Sequence, residues 1–241
     1  MLRRLVVATL VLSLIGSVIT IPAYAQSLYW NVPAPYVVEK GHASMTISTY
    51  LRPWHTVSGA DEFAYVQGVY GVGTIGLLPG PAEIGLNIGS IDLHNLHRSA
   101  PFMDAAVKIH LLQTDAFGIS AGNNVGVGLS GATAGRVRDY VYSMVATHLP
   151  LTGAMISAGP YYATRDVFDS HSRFGGQFTF EQPLPFLPGF SFVVDHRTGH
   201  NGALTPGLMW NKDPMTVGVG YNISNNGRKD NLVQILASAT F

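Results

Sequence analysis

A period-two alternation of apolar and polar residues, repeated along most of the chain, constrains this sequence more than any other feature. In residues 103–111, Val107 and Leu111 lie on one side of the alternation and Asp104 and Lys108 on the other. Successive side chains of a β-strand point to opposite faces, so this spacing predicts strands with one apolar face. Gly and Pro interrupt every window of helix length, which argues against helices.

Twelve segments show this pattern, and together they predict an all-β chain. They are residues 42–51, 62–73, 82–89, 103–111, 117–129, 139–149, 153–162, 173–182, 189–196, 203–211, 215–223 and 231–241. The alternation fits a soluble sandwich with its apolar face inward. It fits equally a membrane barrel with its apolar face toward lipid and its polar face toward the lumen.

The connections between the segments favour the barrel. Those after segments 4, 6 and 10 are short ("QTDA", "PLTG", "KDP"), whereas most of those after odd-numbered segments are longer and polar ("RPWHTVSGAD", "DLHNLHRSAP"). Short periplasmic turns alternating with longer outer loops are typical of outer-membrane barrels, which have an even number of strands. We therefore predict a closed antiparallel transmembrane β-barrel of about 12 strands.

The N-terminus has the order of a secretory signal peptide. Arg3 and Arg4 precede an apolar run over residues 5–21, Pro22 ends it, and the sequence "AYA" stands before Gln26. Small residues at this spacing are typical of a cleavage site, although an uncleaved anchor is the alternative. We predict that residues 1–25 are removed during Sec-type export and that residues 26–241 form the barrel.

Composition excludes several classes of function. The 14 basic and 14 acidic residues balance, so no nucleic-acid partner is expected. The absence of cysteine excludes disulfides, Cys-ligated zinc and thiol catalysis. No cofactor is predicted.

The terminal "VQILASATF" resembles the closing strand of bacterial outer-membrane β-barrel proteins. The stretch "DHRTGHNGALTPGLMW…MTVGVGYNISNNGRKDN" is also similar to small outer-membrane proteins of unassigned function. The resemblance implies a location in the bacterial outer membrane, with its lipid as a partner. It also implies that Phe241 is an assembly signal read by the barrel assembly machinery. Aromatic residues near strand ends, which include Tyr140, Tyr142 and Tyr161, would then form girdles at the membrane interfaces.

No constellation predicts catalysis. Ser90, Asp92 and His94 share one strand face, but neighbours at i and i+2 lie nearly 7 Å apart, too far for a hydrogen-bonded triad. Asp195 and His196 are adjacent, so they point to opposite faces. Acidic residues and histidines around the rim could suit an omptin-like protease. Pairs such as His171 with Ser172 could suit a barrel phospholipase. No sequence motif identifies either kind of active site.

Histidines are frequent in the predicted outer loops. Six of the nine lie in or beside them, and imidazole clusters bind zinc or copper. Solvated loop histidines explain the same pattern, so no metal site is predicted.

The polar strand faces supply candidates for the lumen lining. They are Asp104, Lys108, Gln177, Glu181, Asp195 and Gln234. Because both signs of charge occur, a salt-bridged filling and a selective pore fit equally well. We predict a passive, porin-like channel for a small-molecule solute. The alternatives are a non-catalytic structural or binding barrel, an outer-membrane hydrolase, and a soluble periplasmic β-sandwich.

Overall fold

A computed structural model describes ten stretches of the 241-residue chain. They are residues 32–33, 43–57, 60–75, 82–91, 101–114, 116–129, 134–164, 173–199, 202–225 and 231–240. The signal peptide predicted for residues 1–25 and the assembly signal Phe241 lie outside them. Within the described stretches, no helix is long and apolar enough to cross a membrane.

The described chain consists of twelve strands, each close to a segment predicted from the alternation. They are β1 (Ala43–Val57), β2 (Ala60–Ile75), β3 (Ala82–Ile91), β4 (Phe102–Gln113), β5 (Phe117–Gly128), β6 (Val137–Leu149), β7 (Ala154–Ala163), β8 (Phe174–Pro183), β9 (Phe190–Arg197), β10 (Ala203–Lys212), β11 (Met215–Ser224) and β12 (Leu232–Thr240). The predicted all-β class is therefore confirmed.

All twelve strands belong to one antiparallel sheet. Each strand pairs with its neighbours in sequence, and β12 also pairs with β1, from Ser44↔Thr240 to Leu51↔Val233. The sheet thus closes on itself. A β-sandwich would need two sheets packed face to face, so the single sheet does not fit the sandwich alternative.

The connections differ between the two ends of the barrel. At the end where β1 begins and β12 finishes, which we term the turn rim, the connections are short, as in residues 114–116 and 213–214. At the opposite end, the loop rim, longer connections such as residues 92–101 and 164–173 predominate. This agrees with the alternation of lengths in the sequence.

The first connection at the loop rim was predicted wrongly. The segment "RPWHTVSGAD" was expected to be an outer loop, but β1 continues to Val57 and β2 begins at Ala60. Pairing of β12 with β1 ends at Leu51, and β3 pairs with β2 from Val69 onward. The hairpin therefore continues past the wall as a two-stranded ribbon, because β1 and β2 still pair with each other there.

Burial on the two faces of the sheet is inverted relative to a soluble protein. Large apolar side chains on the outer face are exposed, including Leu86, Val107, Val145, Leu208 and Val219. Polar side chains on the inner face are buried, including Thr46, Ser120, Ser157, Thr205 and Ser238. An exposed apolar band around a polar interior is the pattern of transmembrane barrels.

Three tyrosines expected in the interfacial girdles lie inside the barrel instead. Tyr140, Tyr142 and Tyr161 are buried, whereas Val141 and Val145 on the other face of β6 are exposed. On β6 the valines occupy the outward positions and so turn Tyr140 and Tyr142 inward. On β7, Tyr161 shares the inner face with the buried Ser157 and Ala163.

Candidate functional site

The polar residues predicted to line the lumen lie on the inner face of the barrel, spread over β4, β8, β9 and β12. Five are buried on the inner face, and Glu181 is half-buried on the same face of β8. The five are Asp104, Lys108, Gln177, Asp195 and Gln234.

Lys108 forms an ion pair inside the barrel. Its Nζ lies 3.0 Å from Oε1 of Glu83, and the Lys108 side chain is only 2% exposed. The two residues are direct cross-strand partners on β3 and β4. Glu83 was absent from the predicted set, although it has the same parity as the inward residues Gly85 and Asn87.

Asp104 lies four residues nearer the loop rim than Lys108 along β4, opposite Asn87 of β3. On its other side is Gly126 of β5, where an added Cβ would overlap the Asp104 carboxylate. The missing side chain of Gly126 therefore makes room for the carboxylate. Further toward the same rim, the Arg138 guanidinium stacks 3.5 Å from the ring centroid of Phe102.

Tyr140, Tyr142 and Tyr161 form a compact group, the tyrosine cluster, in the loop-rim half of the interior. The ring centroid of Tyr140 lies 5.3 Å from that of Tyr142 and 5.6 Å from that of Tyr161. The Tyr140 hydroxyl donates a hydrogen bond to Oε1 of Gln177, whose Nε2 donates to the sulfur of Met144 at 2.8 Å. The alternation in the sequence predicted the inward position of Gln177 but not these partners.

Two of these rings lie over glycines of the neighbouring strands. Tyr142 covers Gly122, its cross-strand partner, and Tyr161 covers Gly175 in the same way. A Cβ at either glycine would overlap the tyrosine ring. The Tyr161 hydroxyl also donates to the carbonyl of Thr198 at 2.6 Å, which fixes the ring against the wall.

Val32, which precedes the first strand, is also inside the barrel. It is fully buried, and it packs in one apolar group with the tyrosine cluster, Met144 and Ala163. Its backbone N–H donates a 3.2 Å hydrogen bond to Oδ2 of Asp195, which is fully buried as well. No pattern in the sequence had predicted this contact.

Small polar side chains line the junction of β12 with β1. Thr46 donates from Oγ1 to Oγ of Ser238 at 2.9 Å, and Gln234 donates from Nε2 to Oγ of Ser48 at 2.8 Å. These bonds connect residues more than 180 positions apart. They give the closing pair of strands a polar inner surface.

An apolar group occupies another part of the interior. Met155, Val193, Met209 and Leu236 come from four different strands and are all buried together. This part of the barrel is filled by side chains, as in small barrels.

Comparison with known proteins supports the architecture. No family model matches the chain, and no curated protein matches it. Among solved structures, the KdgM porin in complex with disordered oligogalacturonate superimposes with a TM-score of 0.50 and 9% identity, covering 83% of this chain and 98% of that one. The chain has the fold of a bacterial outer-membrane β-barrel protein.

Outer-membrane barrels of other kinds also match, at lower TM-scores. The outer membrane phospholipase A from Escherichia coli has a TM-score of 0.49 and 8% identity, covering 85% of this chain and 90% of that one. LpxR from Salmonella typhimurium has a TM-score of 0.41 and 10% identity, covering 83% and 99%. Identities this low show the fold alone and assign no activity.

The catalytic and metal candidates lie only partly within the described residues. Asp92, His94, His171 and Ser172 lie outside the described residues, as does the side chain of Ser90. Among the residues that are described, no three His, Asp or Glu side chains group as metal ligands. Asp195 is buried inside while His196 lies on the other face of β9, as their adjacency predicted.

Proposed function

We propose that this chain is a closed, twelve-stranded barrel of the bacterial outer membrane that forms a narrow, passive, porin-like channel for small polar solutes. The observation that carries the proposal is the inverted burial, with an exposed apolar band outside and buried polar side chains inside. Lipid can cover the band, and a polar interior lowers the cost of passing a polar solute.

Oxygen atoms on the inner face support an aqueous or solute-filled path. Oγ of Ser157 and Oγ1 of Thr179, which are cross-strand partners, have no hydrogen-bond partner among the described residues, and neither does Oδ1 of Asp104. A buried polar atom without a partner costs about 1–3 kcal/mol. Water or the polar groups of a passing solute would remove this cost.

We propose Asp104, Lys108, Gln177, Glu181, Asp195 and Gln234 as lining residues of that path. Lys108 is neutralised by Glu83, so Asp104 is the better probe of selectivity. Asp104→Asn should shift the reversal potential in a salt gradient toward anions, because an inward negative charge is removed. Asp139→Asn, the same change on the outer face of β6, should leave it unchanged.

Single-channel recording on the refolded chain tests the function. A channel should give discrete conductance steps in a planar bilayer, and the barrel should be checked by its heat-modifiable migration on gels. Silence at all voltages with the barrel intact would contradict the channel.

A non-catalytic structural or binding barrel is the second candidate. The apolar group of Met155, Val193, Met209 and Leu236 favours it, because a filled interior conducts poorly. This candidate predicts electrical silence, together with a folded barrel that remains in the membrane fraction.

We further propose that the barrel reaches the outer membrane by Sec-type export, with cleavage of residues 1–25 and assembly through the barrel assembly machinery. Deleting Phe241 should lower the amount of barrel in cell membranes more than it weakens a barrel refolded in vitro. Phe241→Tyr is the matched control, since it keeps the terminal aromatic ring. N-terminal sequencing of the exported protein should begin at Gln26.

A further inference from the structure

We propose that the tyrosine cluster and Asp195 form an intraluminal latch that binds the chain's own N-terminal segment at Val32 and narrows the channel. The inference rests on the proposed channel function, because it concerns how the conductance of that channel is limited. Val32 is the bound group, Asp195 is the polar anchor, and Tyr140, Tyr142 and Tyr161 are the apolar walls.

The contact has two complementary parts. The Val32 side chain is 0% exposed among aromatic rings, which shields it from water. Its backbone N–H is paired with a carboxylate that is itself 0% exposed. Charge-assisted hydrogen bonds to a buried carboxylate are stronger than neutral ones, so the anchor selects a peptide N–H at this point.

The latch lies far from the place where the barrel begins. Asp195 and Tyr161 lie near the loop-rim ends of β9 and β7, whereas Ala43 opens β1 at the turn rim. The eleven residue steps from Val32 to Ala43 can extend to about 36 Å. That exceeds the roughly 25 Å height of a transmembrane barrel wall, so the connection is long enough.

An inserted peptide would take up much of the available width. A twelve-stranded wall with strands about 4.8 Å apart and a tilt of about 40° measures roughly 24 Å across its backbone. Inward tyrosines from one side reach about 6 Å into that width. Val32, which packs against them, therefore takes up part of that width, in the way of a solute.

Disulfide trapping tests where Val32 lies. The chain has no cysteine, so an engineered pair has no competing thiol. Val32→Cys with Ala163→Cys, both in one buried group, should form an intramolecular disulfide in the folded barrel. Val32→Cys with Val141→Cys is the matched control, since Val141 is exposed on the outer face, and it should stay reduced. Equal yields from the two pairs would overturn the proposal.

Conductance tests what the latch does. Val32→Asp places a carboxylate beside that of Asp195 and should release the segment, raising the mean single-channel conductance at least two-fold. Val32→Leu keeps an apolar group and should conduct like the wild type. Channels of unchanged conductance in Val32→Asp would overturn the latch while leaving the channel in place.

The two proposals fail in different ways. If no variant conducts but the Val32–Ala163 disulfide forms, the channel function is wrong and the binding of Val32 is upheld. If the disulfide-trapped barrel conducts less than the Val32→Asp variant, both are supported. A disulfide-trapped barrel that conducts as well as Val32→Asp would overturn the narrowing.

Discussion

Glycines opposite the inward tyrosines illustrate how single residues control this interior. The ring of Tyr161 rests on Gly175, while a Cβ at the next residue, Gly176, would meet nothing within 4 Å. Two adjacent glycines therefore face different packing on the two sides of the same strand.

Gly175→Ala should lower the free energy of unfolding by about 1–3 kcal/mol, because the new methyl group overlaps the Tyr161 ring and overpacks the interior. Gly176→Ala should change it by less than about 0.5 kcal/mol. Urea unfolding of the protein refolded in lipid vesicles measures both. Equal losses in the two variants would contradict this account of Gly175.

The ion pair of Lys108 with Glu83 should be sensitive to the loss of one partner. Lys108→Met leaves the Glu83 carboxylate buried without its cation, at a cost of about 3–5 kcal/mol. Combining Lys108→Met with Glu83→Gln should recover part of this loss, since no net charge then remains buried. Unfolding free energies of the two single variants and the double variant would show the coupling, and strict additivity would argue against it.

Which residues point inward followed largely from parity along each strand. Asp104, Gln177 and Gln234 could be assigned because their neighbours in sequence are apolar and outward. The tyrosines could not be assigned by residue type, since aromatic rings suit both an interface and an interior. Val32 carried no signal at all, because a contact between the start of the chain and β9 depends on the assembled barrel.

At the scale of single strands, the outward residues of β11 provide the apolar surface that would face lipid. Val219 lies in the middle of β11 and is half exposed, as a lipid-facing residue should be. Val137, at the loop-rim start of β6, is also outward but lies at the edge of the band.

Val219→Arg should destabilise the barrel in vesicles by about 2–4 kcal/mol, because it places a charge near the bilayer midplane. Val137→Arg should cost about 0–1 kcal/mol, since a side chain at the interface reaches water. The free energies of unfolding of the two variants in lipid vesicles test this difference. If the chain worked in water, neither arginine would matter, and that result would exclude the membrane location.

Strand limits were well predicted wherever Gly, Pro or a polar cluster ended the alternation, as at Asp213 and Pro214 between β10 and β11. They were predicted poorly in the β1–β2 hairpin, where "RPWHTVSGAD" has the composition of a loop. Pairing within the hairpin outweighs that composition, since backbone hydrogen bonds between two strands do not require an apolar pattern.

At the scale of the whole molecule, the contact of β12 with β1 joins the two ends of the barrel. Thr46 and Ser238 are direct partners across it, with Oγ atoms 2.9 Å apart. Local sequence patterns predicted the strands on both sides. They could not predict this pairing, because it joins residues 192 positions apart.

Thr46→Cys with Ser238→Cys should form a disulfide that makes the barrel covalently continuous, because direct partners in antiparallel strands lie within disulfide range. Thr46→Cys with Ala237→Cys should not, since adjacent residues point to opposite faces. Non-reducing gels of the refolded protein distinguish the two. A folded protein that leaves the first pair reduced would indicate that the sheet is open at this seam.

The two-stranded ribbon of β1 and β2 has a consequence for how copies of this chain meet. Beyond the wall, no described residue of β12 or β3 pairs with its outer backbone edges, so peptide groups there can accept a strand from another molecule. Barrel closure protects every other strand from such pairing. Self-association of the purified protein should therefore begin at the ribbon tip, and shortening the hairpin should keep the barrels dispersed.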